Sequence, residues 1–249
     1  MSRATVYDEI GAGYAVGRRE DPRIAQAIWS ALGDAGSVLN VGAGAGSYEP
    51  SDRHVVAVEP SAAMIAQRPL CAAPIVQAFA EELPFADDEF DAAMAVLTIH
   101  HWSDRHQGLT ELRRVARDRV VLFVRDPDAC PWWWLYQYFP ATHRLVAARE
   151  TRLEDIRQVL GELAVTSVPI PADSQDGFEA AFWRRPRAYL DPEACQAMSA
   201  LALIPDAERE EGQRALRLDL QSGEWQRRYG ELLERNELDL GYRVVIARS

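Results

Sequence analysis

The feature that most narrows the possible folds is the run Val38-Leu39-Asn40-Val41-Gly42-Ala43-Gly44-Ala45-Gly46, a short apolar strand that leads straight into three alternating glycines. Glycine takes positive φ without steric cost and lets a ligand approach the main chain closely, so such a turn belongs between a buried strand and a helix. A second apolar run, Val55-Val56-Ala57-Val58, ends at Glu59. A carboxylate about 20 residues after the first strand can accept both hydrogen bonds of a ribose diol. Together these features describe an adenosine site at the ends of adjacent parallel strands. They do not form a dinucleotide fingerprint, which needs glycine or alanine at the sixth position of G-x-G-x-x-G, because that position is Ser47.

Further apolar runs at 75–79, 91–97 and 119–124 are bounded by turn residues and separated by amphipathic stretches. Continuous rather than alternating runs suit strands covered on both faces, hence a doubly wound parallel α/β sheet. Pro22 after Asp21 opens a helix over 22–32, and Ser61 is a good N-cap for a helix from Ala62. Leu109–Ala116 repeats apolar residues at helical spacing between the fourth and fifth strands. Beyond residue 125 the pattern loosens: Trp132, Trp133, Trp134, Tyr136, Tyr138 and Phe139 make 125–149 too apolar for a loop in water. A helix at Leu153–Leu163, a strand at Val165–Ile170, a mostly helical stretch over 171–240 and a last strand at Tyr242–Ala247 complete the expectation.

The 249 residues carry a net charge of −11, with acids and bases interspersed. Such a surface repels a phosphate backbone, which disfavours nucleic acid as a partner. Arg184-Arg185-Pro186-Arg187, the densest basic cluster, reads as solvated or paired with acids rather than as a phosphate site. Cys71, Cys130 and Cys195 are far apart and odd in number, which speaks for thiols in a reducing compartment. With no apolar leader at the first residues and no apolar run of about 18 residues, the expectation is a soluble, cytoplasmic protein that does not enter membranes.

Gly42-x-Gly44-x-Gly46 resembles the first motif of the class I S-adenosylmethionine-dependent methyltransferases. Ala80-Glu81-Glu82-Leu83-Pro84-Phe85 followed by Phe90-Asp91, then Leu97-Thr98-Ile99-His100-His101 and Glu111-Leu112-Arg113-Arg114-Val115, resemble segments of its small-molecule members of the ubiquinone and menaquinone type. The resemblance implies a seven-stranded Rossmann-like sheet, mainly parallel with the last strand antiparallel. It implies one domain over 1–249, with a core of about 20–125, 151–170 and 242–248. Segments 1–19, 126–149 and 171–240 would then be cap elements over the strand carboxyl ends.

The implied cofactor is S-adenosylmethionine, with S-adenosylhomocysteine as product. Its site would comprise Asn40, Gly42, Ala43 and Gly44, with Glu59 on the ribose and Pro60, Met64 and Leu97 around it. Phe79, Ala80 and Glu81 would meet the adenine, Phe79 by packing on it. Tyr14 and Arg18, in a segment that also holds Tyr7 and Arg19, would fold over the methionine end. Asn40 departs from the family pattern, where that position is usually an acid. Asparagine keeps an acceptor oxygen but removes a negative charge near the sulfonium.

Methyl transfer from positive sulfur needs mainly a well-placed nucleophile, and a base helps when the acceptor is protic. Histidine is the side chain best matched to neutral pH, so His100 and His101, after the fourth strand, are the candidate catalytic residues, with an expected pKa near 6–7. The alternative is that both pack a helix start. His106 adds a third imidazole nearby, but no carboxylate or cysteine arrangement completes a metal site, and no metal is expected. Trp133, Trp134 and Tyr138 are candidates for the wall of an apolar acceptor pocket, or else core of the cap. The function expected is methylation of a small, largely apolar molecule at oxygen, nitrogen or carbon. A non-methylating enzyme that uses the cofactor's charge, or a non-catalytic binding protein, are the alternatives that Asn40 leaves open.

Overall fold

A computed structural model describes residues 17–248. The main sheet holds β1 (Ser37–Val41), β2 (His54–Val58), β3 (Ile75–Val76), β4 (Phe90–Val96), β5 (Ala116–Arg125), β6 (Leu163–Ser167) and β9 (Tyr242–Arg248), in the order β3-β2-β1-β4-β5-β9-β6. The first five pair in parallel, and β9 runs antiparallel between β5 and β6. Strand order therefore reverses between β1 and β4. An open α/β sheet places its ligand crevice outside the carboxyl ends at such a switch point. The glycine turn after β1 and the segment Leu97–His101 after β4 flank it.

Burial on both faces accounts for the continuous apolar runs. Along β5, Val121 and Phe123 face one core with Val38, Met94 and helix α1 (Pro22–Ala31), while Val120, Leu122 and Val124 face the other. That second core includes Leu109 and Leu112 of α3 (Arg105–Val115) and Ile156 and Leu160 of α6 (Leu153–Leu160). Helix starts follow the capping chemistry. Asp21 accepts from the Arg23 N–H before α1, Ser61 from the Met64 N–H before the short α2 (Ala62–Ile65), and Asp104 from the Gln107 N–H before α3. Each such cap contributes about 1 kcal/mol.

Several boundaries differ from expectation. The third strand is the edge of the sheet and ends at Val76 rather than 79, and the chain then turns into the crevice. Helix α3 starts at Arg105, not Leu109, because Asp104 caps it. Helix α6 stops at Leu160, since Gly161 follows at φ 81°, and Leu163 already belongs to β6. The run Val165–Ile170 splits: β6 ends at Ser167, and Ile170–Pro171 forms β7.

Two helices, α4 (Leu135–Tyr138) and α5 (Pro140–Ala147), precede α6. The cap over 171–240 starts and ends on a small ladder, β7 against β8 (Glu237–Leu238), with Ile170 opposite Leu238. Between them lie short 3-10 turns and helices α7 (Pro192–Ala197), α8 (Ser199–Leu203), α9 (Asp206–Ser222) and α10 (Glu224–Tyr229). The apolar core of this cap is continuous with the α1 side of the sheet. Arg184 and Arg185 bond to main chain of this segment, donating to the carbonyls of Arg235, Ser174 and Ala181. No helix among the described residues is long and apolar enough to cross a membrane.

Candidate active site

After β1 the chain crosses towards β2, where the Gly42 and Ala43 N–H groups donate to the Val58 carbonyl at 2.8 and 2.9 Å. Gly42 and Gly44 take φ of 72° and 52°. At Gly42 a Cβ would fall 2.1 Å from Thr98 Oγ1, so the turn fits tightly under the segment after β4. At Gly44 a Cβ would meet Met64 Cε at 3.3 Å. Glu59 is buried, its Oε2 accepting from the Gly44 N–H and its Oε1 from the Ser61 N–H, both at 2.9 Å. Main-chain donors thus fix its carboxylate at the crevice.

Asn40 is buried beneath this turn and donates from Nδ2 to Glu49 Oε1 at 3.2 Å. Glu49 in turn pairs with Arg68 at 2.8 Å and accepts from the Ala73 N–H. A carboxylate therefore stands next to Asn40, although its charge is engaged by arginine.

The opposite wall is Phe79, Ala80 and Glu81. Glu111 accepts from the Leu83 N–H at 2.9 Å, and Arg114 donates to the carbonyls of Leu83 and Phe85, so α3 clamps the loop that carries this wall. Burial would raise the Glu81 carboxyl, but the Ser103 hydroxyl and the N–H groups of Ser103 and Asp104 outweigh it and hold the group below its usual value.

Two cavities meet in the crevice. One, about 220 Å³, lies between the glycine turn, Glu59, Pro60, Met64 and the Phe79–Glu81 wall. The other, about 130 Å³, lies under the cap against Val124, Arg125, Tyr136, Phe178, Glu179 and Tyr242. Arg18, Leu97 and His101 border both. Leu97 sits at φ 50°, a conformation bulky residues avoid, of the kind that clusters at functional sites. Arg18 is held by Asp176 of the cap at 2.6 Å, and Tyr48 donates to the same carboxylate at 2.8 Å.

His100 and His101 occupy a single 3-10 turn, Ile99–His101, with ring centroids 4.0 Å apart. His101 borders both cavities and His100 the one under the cap. Burial, with the positive charges of Arg149, Arg105 and Arg18, pushes His100 down to about 4, and His101 is also held well below its usual value. The expected titration near 6–7 is corrected for both. A desolvated imidazole surrounded by arginines disfavours its cation.

Residues 39–124 match the methyltransferase-domain family. The fold superimposes on a protein of Anabaena variabilis, assigned as a methyltransferase of an antibiotic biosynthesis pathway, with a TM-score of 0.86 and 32% identity over 93% of this chain and 98% of that one. The chain belongs to the class I S-adenosylmethionine-dependent methyltransferases. This methyltransferase is also 32% identical over 80 residues to 2-methyl-6-phytyl-1,4-hydroquinone methyltransferase 2 of Oryza sativa subsp. japonica, a match covering 32% of this chain and 23% of that protein. It spans about a quarter of the length of the curated relatives it matches. At 16% identity and a TM-score of 0.54 it shares its fold with the (4+2)-cyclase SpnF, over 98% of this chain and 94% of that one. Architecture alone therefore does not choose the chemistry.

In this methyltransferase, Arg18, Asn40, Gly42, Ala43, Gly44, Glu59, Pro60, Met64, Phe79, Ala80, Glu81 and Leu97 all line the larger of these two cavities. Tyr14 lies outside the described residues, as does Tyr7. The aromatic candidates are placed elsewhere. Trp133, Trp134 and Tyr138 are 6%, 3% and 5% exposed and border neither cavity. Trp134 packs edge-on against Tyr189 and Trp225 and donates to the Trp183 carbonyl, and Tyr138 donates to Asp219. They are core of the cap, and Tyr136 alone of α4 reaches the crevice. Sequence reasoning missed Tyr136, Arg125, Glu179 and Tyr242. One signal was readable: Glu179 is a lone acid inside the apolar run Phe178-Glu179-Ala180-Ala181-Phe182.

Proposed function

We propose that the protein transfers the methyl group of S-adenosylmethionine to a small, largely apolar acceptor at oxygen, nitrogen or carbon, as part of secondary metabolism. One observation carries the reading: a main-chain cradle at Gly42 and Gly44, with the fixed Glu59 carboxylate, opens past Leu97 and His101 into a second cavity lined by aromatic and aliphatic side chains together with a few charged ones. The donor and acceptor set suits the cofactor. Glu59 offers carboxylate oxygens to a ribose diol, Phe79 a flat apolar face to adenine, and Ala80 and Glu81 polar groups to its edge. Pro60 and Met64 flank the sugar, while Ala43 and Leu97 confine the middle of the ligand. Asn40 and Arg18 serve the methionine end. S-adenosylmethionine supplies a methyl carbon activated by positive sulfur.

What the chain contributes is placement and exclusion of water, and positioning alone is worth about 7–11 kcal/mol. The cap closes the strand ends, and the strained Leu97 stands at the junction of the cavities. His101 is neutral there at physiological pH and offers a hydrogen bond rather than a charge. The antibiotic-pathway assignment of the Anabaena protein supports a secondary-metabolite acceptor. Incubation with S-adenosylmethionine and a series of phenols, aromatic amines and enolisable ketones tests the proposal. Release of S-adenosylhomocysteine with a methylated product from at least one acceptor is expected. Cofactor binding without methylated product from any of them refutes methyl transfer and leaves the non-methylating alternatives.

A further inference from the structure

The cavity under the cap holds an acid whose carboxyl oxygen has no partner. Glu179 opens the turn Glu179–Phe182, flanked by the buried Phe178 and Ala180. Its Oε2 is buried and makes no hydrogen bond among the described residues. Three donors near it are turned elsewhere: Arg125 pairs with Glu150 and donates to the Cys130 carbonyl, Arg18 is bound to Asp176, and the Tyr189 hydroxyl donates to the main-chain carbonyl of Glu179 at 2.7 Å. A buried oxygen left unsatisfied destabilises the fold, more so when charged. A cost of that kind is kept where a ligand repays it.

The surroundings specify the ligand. Tyr136, Phe178 and Tyr242 give aromatic walls, and the volume of about 130 Å³ is close to the roughly 150 Å³ of a cavity known to take up benzene. We propose that Glu179 selects the methyl acceptor, a single ring bearing a hydroxyl or amine whose hydrogen the free carboxyl oxygen accepts. This rests on the methyltransferase reading of the crevice. Facing the carboxyl are Arg125 on β5, Glu150 after α5, and the hydroxyls of Tyr136 on α4, Tyr189 and Tyr242 on β9. Arg149 and His100 complete the charged and titratable lining. Burial pushes Glu179 up to about 7, with Arg125 lowering it and Glu150 raising it. The group therefore gains its charge as pH rises through about 7, and its free oxygen is then the stronger acceptor for a hydroxyl or amine hydrogen.

Phenol and toluene, titrated into the S-adenosylhomocysteine-saturated protein at pH 8 and followed by ligand-observed NMR, test this. The preference for phenol over toluene should fall by about tenfold or more in Glu179→Leu, as expected for loss of a hydrogen bond to a charged group. The wild-type preference should also shrink at pH 5.5. The melting temperature of Glu179→Leu should equal or exceed that of the wild type, because an unpaired acid gives way to an apolar group. An unchanged preference overturns the proposal, and so does failure of phenol to bind the wild type. Glu179→Gln, which keeps the side-chain shape, should fold and lose the pH dependence. If both variants unfold, the carboxyl is structural and the proposal falls. A separate calorimetric titration of S-adenosylhomocysteine reports its affinity: absence of binding in the wild type sinks the methyltransferase reading, whereas binding without discrimination between phenol and toluene sinks only the assignment of Glu179.

Discussion

The cavity beside Gly42–Gly46 is walled largely by main chain and by acids that main-chain N–H groups hold, whereas the cavity beyond Leu97 and His101 is walled by side chains gathered from distant segments. Glu59 accepts from Gly44 and Ser61 on its two oxygens, and Glu81 accepts from Ser103 and Asp104 on one of its own. Across the junction, Glu179 keeps an oxygen without a partner, and the imidazole of His100 is driven down to about 4. Local chain geometry thus builds the half that suits a constant ligand, while unsatisfied side chains concentrate in the half that suits a variable one. Stability and specificity are stored in different places.

The largest effect expected from this division lies in the cap core. Trp134→Ala should destabilise the fold by about 3–5 kcal/mol, the usual cost of emptying a buried aromatic site, while S-adenosylhomocysteine affinity of the folded protein stays within about twofold. Denaturant unfolding and calorimetry measure the two. Wild-type stability combined with lost acceptor binding would instead return Trp134 to the crevice wall and blur the distinction.

A smaller effect concerns His100. Its folded pKa of about 4 lies below the unfolded value near 6.5, so the unfolded chain binds more protons between those limits. The stability that neutral His100 contributes is present above pH 6.5 and is lost as pH falls towards 4. Wild type should therefore lose on the order of 1–3 kcal/mol relative to His100→Gln over that window. Parallel stability curves for the two proteins would mean an imidazole that titrates normally, as the sequence led one to expect.

The same division explains what was legible in the sequence. The caps made by Asp21 and Ser61 act within a few residues of themselves, and the glycine turn and Glu59 each stand at the end of a recognisable apolar strand. Their roles could be read without knowing the rest of the fold. The wall of the second cavity joins Leu97, Arg125, Tyr136, Glu179 and Tyr242, and no local pattern announces that meeting. Trp133, Trp134 and Tyr138 illustrate the loss: composition marks an apolar cluster, but only the turn of α4 decides that Tyr136 faces the crevice and its neighbours the cap core. His100 shows the complementary gap, since its three neighbouring arginines come from segments around 18, 105 and 149.

The account rests most directly on Glu59, whose carboxylate is fixed at the crevice before any ligand arrives. Calorimetric titration of S-adenosylhomocysteine into wild type and Glu59→Ala measures that claim. Micromolar-range or tighter binding to the wild type, weakened by about 2 kcal/mol or more in the variant, is the expected result for loss of charge-assisted hydrogen bonds. Equal affinity in the two proteins, with both folded, would contradict the placement of the cofactor between Gly42–Gly46 and Glu59.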